Sequence, residues 1–169
     1  MTVLNIGPAL PETVEFFSRF RCKLYFIDLF DDLPEMAARA DEPGAAHQLL
    51  EESLQFPGDT RFDLCLFWDV FNFLSPEAIA TLQENLRPHL HSNSLAHGFA
   101  VHNLRTEQSG KLYGIRELDE LSVRPRPTLL PAYSPYNQGQ LEKLLHCFQV
   151  TRSVLLPNSR LELLLRAKP

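Results

Sequence analysis

Val3-Leu4-Asn5-Ile6-Gly7 is a short, mostly apolar run that turns at Gly7-Pro8, and a helix opens at Pro11. A second apolar run over 23–27 follows and stops at Asp28. Strand, tight turn, helix, strand and an acid at the second tip constrain the fold more than any other stretch. That order builds two parallel strands joined by a crossover helix. Open sheets of this kind bind ligands at the carboxyl ends of their strands.

Helix one is predicted over 11–20, with Val14, Phe17 and Phe20 repeating at helical spacing to face the sheet. Pro11 suits the first helical position, and Glu12 and Glu15 suit the exposed amides and dipole there. The same glutamates would repel a pyrophosphate, so a ligand without phosphate fits better. Asp28 is followed by Asp31 and Asp32, and helices are predicted over 34–40 and 45–54, split at Glu42-Pro43-Gly44. Ser53-Leu54-Gln55-Phe56 reads equally well as a short edge strand.

The run over 62–68 is the clearest strand, apolar on both faces as a central parallel strand is, and it ends at Asp69. Ser75 caps a helix carrying Ile79, Leu82 and Leu86 on one face, and Pro88 stops it. Another strand is predicted over 94–101. Residues 103–133 hold Gly110, Gly114, Pro125, Pro127 and Pro131 and read as an irregular excursion with a short helix near 117–121. Such an excursion on the ligand side is a lid or substrate loop. Ser134-Pro135 should begin the last helix, with Leu141, Leu144, Leu145 and Phe148 on its inner face. Runs over 150–156 and 161–166 flank Pro157-Asn158-Ser159 and read as an antiparallel hairpin. The expected class is α/β: a doubly wound, mostly parallel sheet of six or seven strands closing in a C-terminal antiparallel hairpin, in a single domain over 1–169.

Composition narrows the partners. At 169 residues with 44% hydrophobic and 22% charged content, the chain is an ordinary globular sequence. Its net charge is −5 with basic residues scattered, which argues against a nucleic-acid surface. No run is long enough to span a bilayer and no leader is visible at the N-terminus, so the expected location is cytoplasmic. Cys22, Cys65 and Cys147 share no ligand spacing and read as reduced, packed thiols. His89, His91, His97 and His102 match no metal motif, and no metal site is expected.

On these residues the chain resembles the class I S-adenosylmethionine-dependent methyltransferases over nearly its whole length. Val3-Leu4-Asn5-Ile6-Gly7 looks like the family's first motif, a strand followed by acidic-x-Gly-x-Gly-x-Gly. Asp28 matches the acid that holds the cofactor's ribose hydroxyls. Leu54-Gln55-Phe56-Pro57-Gly58-Asp59-Thr60-Arg61-Phe62-Asp63-Leu64 is similar to the run into the family's fourth strand, and Leu86-Arg87-Pro88 to its turn into strand five. The terminal hairpin around Pro157-Asn158-Ser159 resembles its closing strands.

The resemblance implies S-adenosylmethionine as cofactor, with Asn5, Gly7, Pro8, Ala9, Asp28, Trp68 and Asp69 around it. It also carries departures. Asn5 stands where the family has an acid, and Ala9 and Pro11 stand at the next two glycine positions. Proline removes an amide donor and alanine adds a methyl group. The family's N-terminal covering helix has no counterpart ahead of the first strand. Weakened or lost cofactor binding is the expectation these changes carry. His97, His102 and Asp69 are candidates for a general base, and none is assigned; Tyr113, Tyr133 and Tyr136 border the excursion, as loop anchors or as pocket residues. Two functions stay open. One is a methyltransferase acting on a small molecule or protein; the other is an inactive pseudo-methyltransferase that binds a protein partner. A nicotinamide-dependent oxidoreductase is disfavoured by the missing glycines, the acidic helix start and the hairpin.

Overall fold

In the computed structural model, residues 1–105, 110–131 and 133–168 are described. β1 (Thr2–Ile6), α1 (Pro11–Ser18) and β2 (Lys23–Ile27) form the expected strand–helix–strand unit, with the two strands parallel. α1 buries Thr13, Phe16 and Phe17, whereas Val14 and Phe20 are 41% and 46% exposed. The predicted inner face is therefore corrected. Val14 lies off the buried stripe, and Phe20 lies beyond the helix end, where helical spacing no longer applies.

α2 (Leu29–Ala38) starts directly at the tip of β2, not at Pro34, because the Asp28 carboxylate caps it by accepting from the Phe30 amide at 3.2 Å. Pro34 sits inside the helix, where burial of Leu29, Phe30, Leu33 and Met36 offsets its missing donor. α3 (Ala45–Ser53) enters from Gly44, whose φ of 83° is left-handed. Residues 53–56 form no strand. Phe56 instead packs edge-on against Tyr25, Phe62 and His89, and β2 is left as a sheet edge.

β3 (Leu64–Trp68) leads through a 3₁₀ turn to α4 (Pro76–Leu86), which Ser75 caps by accepting from the Ala78 amide. β4 (Leu95–Val101) then completes the parallel part of the sheet. The excursion differs from its prediction. β5 (Lys111–Glu117) and β6 (Glu120–Pro125) form an antiparallel hairpin turning at Leu118-Asp119, and no helix forms at 117–121. Tyr113 opposes Val123 and Ile115 opposes Leu121, an alternation that the flanking glycines and prolines obscured. Residues 106–109 and 132 of the predicted lid lie outside the described residues.

α5 (Gln138–Leu144) starts later than Ser134-Pro135, because Asn137 and Gln140 form a capping box there. Leu141 and Leu145 are buried as expected, but Phe148 already belongs to β7 (Phe148–Leu155), which pairs with β8 (Arg160–Ala167) in the terminal hairpin. The sheet is a mixed one of six strands in the order β2-β1-β3-β4-β8-β7, parallel across its first four strands and antiparallel on both sides of β8.

Period-two alternation divides the core between the two faces of the sheet. Leu4, Ile6 and Phe67 pack with α2, α3, α4 and α5 on one face. Val3, Leu66, Trp68 and Phe99 pack with Phe16 and Phe17 of α1 and Tyr113 of β5 on the other. The β5–β6 hairpin thus shares with α1 the covering of the second face. The three cysteines are free thiols. Among the described residues no helix is long and apolar enough to cross a membrane.

Candidate functional site

Gly7, Asp28 and Asp69 follow β1, β2 and β3, which are neighbours in the sheet, so the fold gathers them at one carboxyl edge. The Gly7 amide donates to the Ile27 carbonyl at 2.7 Å, and its φ of 154° lies in a region that L side chains rarely adopt. A Cβ at Gly7 would stand 3.5 Å from Asn5 Nδ2 and 3.9 Å from Trp68 Cδ1. Asn5 ties the turn together: its Nδ2 donates to the Gly7 carbonyl at 3.2 Å, and its Oδ1 accepts from Trp68 Nε1 at 3.0 Å. Pro8 and Ala9 continue the turn, half-buried and exposed.

Trp68 reaches this position through an unusual backbone. Its φ is 53°, rare for a bulky residue, and the β3–β4 register slips between Leu66 and Trp68. The indole lies over the Gly7 turn with the Tyr113 ring stacked on it, centroids 5.3 Å apart, and with His97 edge-on at 5.2 Å. Trp68 is buried as a result.

Both acids are held by the chain itself. Asp28 receives Arg126 bidentately, Nη1 to Oδ2 at 3.3 Å and Nη2 to Oδ1 at 3.2 Å. The same guanidinium lies over the Phe30 ring at 4.6 Å and reaches Asp31 at 3.5 Å. Burial raises the Asp28 carboxyl above its ordinary value although Arg126 opposes this. Asp69 is 1% exposed; its Oδ2 accepts from the Tyr113 hydroxyl at 3.2 Å and pairs with Arg160 at 3.5 Å. Its Oδ1 has no hydrogen-bond partner among the described residues. Burial pushes Asp69 up to about 6 against the pull of Arg160, whose own guanidinium burial lowers. Farther out, Arg124 pairs with Glu12 at the start of α1, and the Ile115 amide donates to Thr13 Oγ1 at 3.0 Å. The hairpin therefore spans the tips of β2 and β3 and the start of α1.

No protein-family model matches the sequence, and no curated protein matches it. Solved structures do match along its length. The 1,6-didemethyltoxoflavin-N1-methyltransferase of Burkholderia thailandensis, solved with bound 1,6-didemethyltoxoflavin and S-adenosylhomocysteine, is 15% identical with a TM-score of 0.56, covering 99% of this chain and 71% of that one. An S-adenosylmethionine-dependent methyltransferase of Clostridium acetobutylicum is 13% identical with a TM-score of 0.57, covering 99% and 84%. The PH0226 protein of Pyrococcus horikoshii is 14% identical with a TM-score of 0.58, covering 99% and 82%. The fold is that of the class I methyltransferases.

Within this methyltransferase fold, Asn5, Gly7, Trp68 and Asp69 sit against one another or against the hairpin, and Asp28 lies across the turn from them. The residues sequence reasoning weighed as bases separate. His97 lies beside the Trp68 ring with Nε2 3.0 Å from Glu162 Oε1, and His102 is exposed beyond β4. Asp69 remains at the strand tips. Of the three tyrosines, Tyr113 covers Trp68 and Tyr133 packs edge-on against Phe73 at 5.2 Å. Tyr136 lines a groove of about 650 Å³ with Leu33, Met36, Phe73, Pro76 and Pro131. Sequence reasoning missed Arg126 and Arg160. The alternation Arg124-Pro125-Arg126-Pro127 carried the available signal, because proline keeps such a segment extended and its guanidinium groups regularly spaced.

Proposed function

We propose that this chain is a non-catalytic, pseudo-methyltransferase module that acts through a protein partner, with its cofactor end closed by its own hairpin. The observation that supports this reading most is the bidentate hold of Arg126 on Asp28, the carboxylate a ribose would need. The Trp68–Tyr113 stack over the Gly7 turn adds to it, as do Ala9 and Pro11 at positions where close backbone approach to a ligand favours glycine. Calorimetric titration of the purified chain with S-adenosylmethionine and S-adenosylhomocysteine tests the reading. The expected result is no heat and no thermal stabilisation at millimolar ligand. Micromolar binding together with methyl transfer to an added acceptor would remove it.

A second reading has its own support. The strained φ of Trp68 at a strand tip is the kind of outlier that concentrates at ligand sites, and burial pushes Asp69 beside it up to about 6. On that reading the chain is an S-adenosylmethionine-dependent methyltransferase of a small molecule or protein, and residues 103–133 are a lid that opens. Asn5, Gly7, Pro8, Ala9, Asp28, Trp68 and Asp69 would then surround the cofactor. Product formation that disappears in Asp28→Ala is the result this alternative requires.

A further inference from the structure

Arg126 is held as a bound ligand is held. Its side chain is 4% exposed, both terminal nitrogens go to one carboxylate, and its plane rests on an aromatic face at 4.6 Å. Among the described residues, the groups that hold its guanidinium come from the tip of β2 and the first turn of α2: Asp28, Phe30 and Asp31. Both Asp28 oxygens are engaged, and its Oδ1 also accepts from the Phe30 amide.

We propose that the β5–β6 hairpin is an internal ligand of this end of the sheet, anchored by Arg126, and that a ligand presenting a vicinal diol to Asp28 has to displace it. The inference rests on the closed-site reading above and deepens it. Closure on this account comes from an exchangeable contact rather than from loss of the turn motif alone.

The distribution of contacts makes the hairpin releasable. A two-stranded hairpin is marginal by itself, so its place depends on what its side chains hold. The Arg19–Glu117 pair is about half-exposed on both sides, and Arg124 of the Glu12 pair is 50% exposed. Such pairs contribute little. The hold therefore lies at Arg126, at Tyr113 and along α1, where the Ile115 amide donates to Thr13 Oγ1 at 3.0 Å. Arg126 is itself incompletely satisfied, with Nε buried and without a hydrogen-bond partner among the described residues. A ligand that binds only the open form has its apparent affinity reduced by the open fraction, so loosening the anchor raises affinity without touching a ligand contact.

S-adenosylhomocysteine is the probe, titrated calorimetrically into the wild type, Arg126→Gln and the double variant Asp28→Asn/Arg126→Gln. Trp68, the single tryptophan, reports the Tyr113 stack by its emission. Arg126→Gln is expected to bind at least about ten-fold more tightly than the wild type. The gain should vanish in the double variant, and Trp68 emission should shift red as the hairpin leaves. If folded Arg126→Gln binds no more tightly than the wild type, whether both bind or neither does, the internal-ligand proposal is overturned. Should Arg126→Gln fail to fold, Arg126→Lys, which keeps the charge but loses the fork, is read by the same criterion. Methyl transfer by the wild type would instead remove the non-catalytic reading while leaving the affinity ratio intact, so the two failures are distinguishable.

Discussion

The ring of Tyr113 lies on the indole of Trp68 with centroids 5.3 Å apart and planes 9° from parallel. The same tyrosine donates its hydroxyl to Asp69 at 3.2 Å. One hairpin residue thus covers the tip of β3 and holds its acid. Tyr113→Ala should cost roughly 3 kcal/mol by loss of a buried aromatic and shift Trp68 emission to the red. Tyr113→Phe keeps the stack and should cost about 1 kcal/mol, with emission unchanged. Chemical denaturation and fluorescence on the two variants separate ring from hydroxyl; equal losses would place the hold in the hydrogen bond instead.

Asp28 and Arg126 form a desolvated pair, and removing one partner leaves the other charge uncompensated. Arg126→Leu alone should destabilise by roughly 3 kcal/mol. Joined to Asp28→Asn it should recover much of that, because no buried charge then lacks its partner and Asn still caps α2. A double-mutant cycle in urea is the measurement; strict additivity would mean that the two groups are not coupled.

Acidification should stabilise the chain over a limited window. Burial raises Asp69 from 3.8 to about 6, against Arg160, Arg126 and Lys111, while Tyr113 donates to it. The folded state therefore holds a proton that the unfolded chain has lost, so stability rises as pH falls from about 6 towards 3.8. Asp28 is shifted in the same direction. Glu12 and Glu162 are lowered, and their contribution is lost as pH falls through their own values, which closes the window on the acid side. Melting temperature measured between pH 7 and 5 should rise, by an amount equivalent to roughly 2 kcal/mol or less. Asp69→Asn should flatten that rise, and an unchanged slope would assign it to other groups.

Gly7→Ala tests the turn. The backbone there disfavours an L side chain, whereas the new methyl would meet Asn5 and Trp68 at ordinary contact distance, so the cost comes from the backbone. A cost of about 1–3 kcal/mol is expected, read from the denaturation midpoint. A cost near zero would mean that the turn relaxes freely to another conformation.

Much of the frame was legible because its signals are local. Pro11 and Ser75 mark helix starts, the doubly apolar run into Trp68 marks a central strand, and Pro157-Asn158-Ser159 marks the last turn. The misreadings arose where one signal masked another, a local cap in one case and a distant ring contact in the next. Asp28 capped a helix that Pro34 had suggested begins later, and Phe56 joined an aromatic cluster in place of an edge strand. Hairpin alternation around Tyr113 and Ile115 was masked by glycine and proline that punctuate strands as readily as loops.

The site divides along the same line. The sequence by itself determined that acids stand at the tips of β2 and β3 beside the Gly7 turn, because strand length and turn chemistry are set within a few residues. Only the tertiary structure decided what those acids do. Arg126 is 98 residues from Asp28 and Tyr113 is 44 from Asp69. Contacts over such separations depend on chain closure and on water being excluded when the hairpin meets the sheet. Neither leaves a periodic trace in the chain.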